Sequence, residues 1–159
     1  MVQSEGVTQL EGLLAECDVR IDASPETVFE FFVDADKMLM WKGVRAELDP
    51  RPGGVFRVHV SPEWVASGEF VAVERPGRVA FTWGWENNAV ALPPGSTLVD
   101  VTLVADGDGT IVRLRHSGLP DEESLKSHTE GWTHFLARLT IVASGGDPGP
   151  DPWAGGHGS

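Results

Sequence analysis

One stretch near the C-terminus constrains this chain more than any other: Pro120 to Ser144, PDEESLKSHTEGWTHFLARLTIVAS. Leu125, His128, Trp132, Phe135, Leu136, Leu139 and Val142 recur there at three- and four-residue steps. A helix gathers residues so spaced on one face, with Lys126, Glu130 and Arg138 opposite. Asp121, Glu122 and Glu123 sit at its start, where carboxylates suit the exposed N–H groups and the positive end of the helix dipole. Gly145 and Gly146 stop it, and Pro148 follows. A face this bulky has to lie on a matching apolar surface, and the rest of the chain must supply one.

That surface comes as short strands. Leu13 to Ile21 alternates, with Cys17, Val19 and Ile21 against Glu16, Asp18 and Arg20, which reads as a half-buried strand with Cys17 a structural thiol. Ser24 and Pro25 open a helix as N-cap and first helical residue, and Val28, Phe29, Phe32 and Val33 form its apolar face. A second short helix or turn runs from Ala35 to Trp41. Strands are expected over 44–49, 55–60, 64–74, 79–86, 98–105 and 110–116. Turn signals separate them at Arg51-Pro52-Gly53-Gly54, Arg75-Pro76-Gly77 and Asp106-Gly107-Asp108-Gly109, with a loop around Asn87–Gly95. Helices set to one side of an antiparallel sheet make an α+β fold, here a curved sheet of six to seven strands wrapped around the long helix. Gly68, Ala72, Ala80 and Gly84, interspersed with aromatics, suggest room for a cavity between sheet and helix. We expect a flexible N-terminus over 1–11, one domain over 12–144 and a flexible Gly/Pro-rich tail over 145–159.

Composition narrows the function classes. Twenty-four acidic residues against twelve basic ones give a formal charge of −12, which repels phosphate backbones and argues against nucleic acid as a partner. No apolar run approaches the roughly 20 residues that span a bilayer, and MVQSEGVTQL lacks the make-up of a secretory signal, so membrane insertion is not expected and a cytoplasmic location is. One cysteine excludes an internal disulfide and a cysteine-rich metal site. His128 and His134 stand six apart, there is no HExxH spacing, and the Asp106–Gly109 stretch lacks the later ligands of a calcium loop. No metal and no cofactor are expected, and glycine-rich phosphate loops and Gly-x-Ser-x-Gly nucleophile motifs are absent.

Several segments together resemble one family. Ala23-Ser24-Pro25-Glu26-Thr27-Val28-Phe29, Asp36-Lys37 through Met40-Trp41, and Arg51-Pro52-Gly53-Gly54 carry the first part. Gly68-Glu69, Glu74-Arg75-Pro76-Gly77-Arg78-Val79 and Phe81-Thr82-Trp83 carry the centre. Ser96-Thr97, Gly109-Thr110, His116-Ser117-Gly118-Leu119-Pro120, and His128 with Gly131-Trp132 carry the end. Over residues 13–144 the chain resembles the homologues of the heat-shock-90 ATPase activator C-terminal domain, within the START-like (SRPBCC, helix-grip) superfamily. The resemblance implies a deep apolar cavity between the curved sheet and the last helix. It also implies lipid-like or polyketide-like guests, with cyclase or dehydratase activity in some members. The eukaryotic cochaperone's separate N-terminal domain has no counterpart in this length, which lowers the expectation of direct chaperone activation.

Three functions are therefore open: binding of a small hydrophobic or aromatic molecule, a cyclase or dehydratase using the same cavity, and cochaperone-like ATPase activation. Alternation turns His116 inward from its strand, and His128 lies on the inward helix face. These two are the candidate acid/base residues or ligand hydrogen-bonders, each with the alternative of a structural role joining helix to sheet. Trp41, Trp83, Trp85 and Trp132 offer stacking faces and N–H donors, or serve as core. Phe56, Val58, Phe70, Phe81, Val101, Leu114 and Phe135 complete the expected lining. A monomer or homodimer is expected.

Overall fold

The computed structural model describes residues 10–87 and 92–152. Strand β1 (Leu13–Ile21) leads into helices α1 (Pro25–Val33) and α2 (Ala35–Met38). Strands β2 (Arg45–Leu48), β3 (Val55–His59), β4 (Val65–Glu74), β5 (Arg78–Trp83), β6 (Thr97–Asp106) and β7 (Gly109–Leu119) follow, and helix α3 (Glu122–Ala143) is the last regular element. The expected curved antiparallel sheet, long C-terminal helix and two short helices are all present, an α+β helix-grip arrangement. No helix among the described residues is long and apolar enough to cross a membrane.

Local chemistry sets the boundaries. Ser24 accepts the Thr27 N–H at 3.2 Å with Pro25 next in line, and Asp121 accepts the Ser124 N–H at 2.8 Å to cap α3. Strands β2 to β7 meander, each pairing with the next, and β1 returns to lie against β7, giving the order β1-β7-β6-β5-β4-β3-β2. The β6–β7 hairpin turns between Asp106 and Gly109, as the Gly-rich signal implies. Helix α3 lies against β1 and α1, so its apolar stripe and the inward residues of the sheet share one core. Cys17 is buried in that core, and burial raises its thiol pKa.

Two expectations meet a different arrangement. The small residues proposed to leave cavity space do other work. A side chain at Gly68 would stand 2.1 Å from the Thr82 carbonyl oxygen, and one at Gly84 would stand 1.7 Å from that of Pro93. Both glycines admit a neighbouring backbone instead of a guest. Ala72 and Ala80 pack with Leu98 and Leu10 in a separate small cluster. The other difference is β5, which ends at Trp83. Trp85 lies beyond it in an isolated bridge to Ala66, because Gly84 hands its carbonyl to Ser67 and Pro93 crowds its face.

Within the segment expected to be a loose tail, residues 145–152 run back along α3. Arg138 donates to the Gly149 carbonyl at 3.0 Å, and His134 Nε2 donates to Asp151 Oδ1 at 2.8 Å. Residues 1–9 and 153–159, and the loop positions 88–91, lie outside the described residues.

Candidate functional site

The sheet supplies the floor of the site. Register pairs Trp83 with Thr97 across β5–β6 and Val99 with His116 across β6–β7, so Trp83, Thr97 and His116 project from adjacent strands on the α3 side. Helix α3 supplies the roof. His128, Trp132 and Phe135 come at four- and three-residue steps and are all buried. The two histidine rings meet with centroids 5.0 Å apart, and Trp83 lies 5.3 Å from Trp132 and 5.4 Å from Trp85.

Hydrogen bonds fix the protonation of both imidazoles. Thr97 gives its hydroxyl proton to the Trp83 carbonyl at 2.7 Å, so its oxygen accepts from His116 Nε2–H at 2.8 Å. Nδ1 of His116 accepts from the Trp132 indole at 3.0 Å. His128 is the mirror case: Nδ1–H donates to the Ser124 carbonyl at 2.8 Å, and Nε2 accepts from Trp85 at 3.1 Å. Burial pushes the His116 pKa well down, with the charges of His128 and Lys42 acting in the same direction. Burial also lowers that of His128, partly opposed by its bond to Ser124. Both rings are neutral near pH 7 and have every nitrogen engaged. Proton transfer through either ring would first require an indole, a hydroxyl or a helix carbonyl to let go.

A lysine completes the site. Lys42 follows the α2 turn, is only 4% exposed, and sends its ammonium over the faces of Phe135 (4.0 Å), Trp132 (4.8 Å) and Trp83 (4.9 Å). Burial drives its pKa down to about 7, and the charge of Asp151 works the other way. The Trp83 indole N–H, buried beside it, finds no acceptor among the described residues. Lys42 also lines a cleft of about 470 Å³ between the 39–43 turn, the C-terminal half of α3 and residues 146–151, with Trp41, Arg138 and Val142 in its wall.

The residues expected to line a cavity all fall in one connected core, with Trp85 at its edge. Phe56 stacks on Phe81 at 4.0 Å and meets Phe70 edge-on at 5.7 Å, while Val58, Val101 and Leu114 are fully buried around them. Trp41 stands apart from the Trp83 group. Its ring packs on Phe32, and its N–H bonds the Phe31 carbonyl at 3.0 Å, tying it to α1. Sequence reading missed Lys42, Thr97 and Asp151. The periodicity of β6 could have found Thr97, which shares the face of Val99 and Val101. No local signal marks a lysine after a helical turn as buried.

A curved antiparallel sheet closed over one long helix, with an aromatic seam between them, defines a helix-grip protein of the SRPBCC superfamily. Over residues 22–144 the sequence matches the family described as Activator of Hsp90 ATPase homolog 1-like protein, and the chain belongs to that family. It is similar to an AHSA1-like protein of Rhizobium etli, with 44% identity over 90% of this chain and 89% of that one, and a TM-score of 0.71. It shares its fold with an HSP90 activator from Plasmodium falciparum (23% identity, 82% of this chain and 96% of that one, TM-score 0.68). It also shares it with DynU16, a protein of the dynemicin biosynthetic locus (21% identity, 85% of this chain and 48% of that one, TM-score 0.74). No curated protein matches the chain.

Proposed function

We propose that this protein binds a small hydrophobic or aromatic molecule at the seam between sheet and α3, with the Lys42–Trp83–Trp132–Phe135 box as its recognition end. The observation that carries this reading is the Trp83 indole N–H. It is buried and lacks an acceptor among the described residues. A buried donor left unmade costs about 1–3 kcal/mol, and native proteins keep few of them. An acceptor on a bound guest, such as a carbonyl or ether oxygen, would remove that cost, and the rings around it offer stacking surface. The packed rings of Phe56, Phe81 and Trp83 leave the Lys42 end, next to the cleft, as the place where a guest gains room.

The engaged, neutral histidines favour binding over acid/base catalysis, so a cyclase or dehydratase is the weaker alternative. Stimulation of a heat-shock-90 ATPase is suggested by the family description alone. Native mass spectrometry of protein from its own host, with a thermal-shift panel of neutral lipids and polyketides, tests the binding reading. Trp83→Phe keeps a six-membered aromatic ring and removes the N–H with the rest of the indole. It should weaken a ligand found this way about tenfold, the equivalent of roughly 1.4 kcal/mol. Because the smaller ring leaves a gap among buried neighbours, it should also cost the free protein about 1–3 kcal/mol, which urea unfolding measures separately. Unchanged affinity in Trp83→Phe would remove the observation on which the reading stands.

A further inference from the structure

The segment after α3 is held in an unusual way. Gly145 and Gly146 turn the chain, and residues 147–152 double back so that Asp151 reaches His134, seventeen residues earlier and ten before the Ser144 cap of α3. Ten helical residues rise about 15 Å, within the roughly 23 Å that seven extended residues can span. Three of the six strap residues (Pro148, Pro150 and Pro152) lack an N–H, and the Gly149 N–H is spent inside the strap on Asp147 Oδ1 at 2.8 Å. No strap side chain belongs to the hydrophobic core. Among the described residues its polar hold on the body runs through the Pro148 and Gly149 carbonyls and one carboxylate. Asp151 Oδ1 accepts from His134 at 2.8 Å, Oδ2 lies 3.8 Å from Arg138 Nε, and its charge acts on Lys42. Arg138 also binds the Gly149 carbonyl at 3.0 Å and the Trp41 carbonyl at 3.3 Å.

Two side chains, Arg138 and His134, converge on a nearly buried carboxylate whose charge also reaches Lys42, which stands out in a chain with twice as many acidic as basic residues. Lys42 and Arg138 border the cleft, the strap from Gly146 to Asp151 forms one of its walls, and Leu39, Trp41 and Val142 give it an apolar side. We infer that this cleft is a subsite for the carboxylate of a hydrophobic acid, and that Asp151 of the strap occupies it in the free protein and gives way to the ligand. The charge pattern fits because the Asp151 carboxylate already accepts from His134 and lies beside Arg138, the groups a ligand carboxylate would meet. The strap brings no apolar side chain to the core, whereas a fatty or aryl acid brings a tail for the apolar wall. The inference rests on the ligand-binding reading for that tail.

The test compares decanoate with decanol by calorimetry on the full chain and its Asp151→Ala and Asp151→Asn variants. Removing the internal competitor raises the competent fraction, so both variants should bind decanoate about tenfold or more tighter than the parent. Decanol affinity should stay level, and adding Arg138→Gln to Asp151→Ala should abolish the decanoate gain. In the unsubstituted protein, decanoate should shift the Gly149 and Asp151 amide resonances, which keeps the idea testable if the variants fold poorly. Equal gains for decanol and decanoate would overturn the carboxylate subsite and leave the ligand-binding reading in place. Decanoate binding that leaves those amides unmoved would overturn the displacement. Failure of both compounds to bind any variant would count against both readings.

Discussion

Lys42→Met gives the most direct test of the site's electrostatics. Methionine has nearly the same length and keeps the rings of Phe135, Trp132 and Trp83 covered, while removing a charge from a site that is 4% exposed. The Lys42 pKa falls from 10.5 to about 7 on folding. Between those values the unfolded chain holds a proton that the folded one has released, so stability rises with pH across that window and the whole penalty is felt below pH 7. With these two values the gain from pH 7 to pH 9.5 is about 3 kcal/mol. Attraction of the ammonium to three ring faces, about 1–2 kcal/mol in a desolvated site, opposes the shift and brings the gain nearer 2 kcal/mol. Cys17 works in the other direction, since its buried thiol keeps its proton to higher pH than the unfolded one. The measurement is therefore the difference between parent and variant in urea unfolding at pH 7 and pH 9.5. Lys42→Met should be the more stable protein at pH 7, and its advantage should shrink by about 2–3 kcal/mol at pH 9.5. An advantage that does not change with pH, or a variant less stable at both, would refute the assignment of a buried, depressed amine.

Three further outcomes follow from the same geometry. Thr97→Val leaves the His116 Nε2–H without its partner and takes one bond from the Trp83 carbonyl, and should cost about 1–3 kcal/mol in urea unfolding; no loss at all would mean the His116 network is not formed as described. Acidification below pH 6.5 should destabilise the protein, because His116 and His128 are held neutral in the fold and protonate when unfolded. Each ring then adds at most about 1.4 kcal/mol per pH unit, and His116→Gln should flatten the slope. Gly84→Ala should lower the melting temperature sharply, at a cost of about 3 kcal/mol or more, since the new Cβ would stand 1.7 Å from the Pro93 carbonyl oxygen.

Much of the framework was legible because it rests on local rules. The helix over Glu122–Ala143 follows from a stripe repeating at three and four residues and an aspartate cap. The strands follow from alternation and from turn residues such as Asp106–Gly109. Even the inward direction of His116 and His128 could be read from parity and helical phase. What they do there could not, because a nitrogen's partner lies on another element: Trp132 for His116 and Trp85 for His128. Gly68 and Gly84 show the same limit, since a glycine in a strand reads alike whether it faces empty space or a crossing backbone.

The sequence by itself determined the elements, their order and which face of each is apolar, since periodicity and capping act within a few residues of chain. Only the tertiary structure decided that Lys42 lies against three rings, that the Trp83 N–H meets no acceptor among the described residues, and that Asp151 folds back onto Arg138 and His134. Burial and charge pairing depend on distances between residues far apart in the chain, and those distances exist only once sheet and helix have closed on each other.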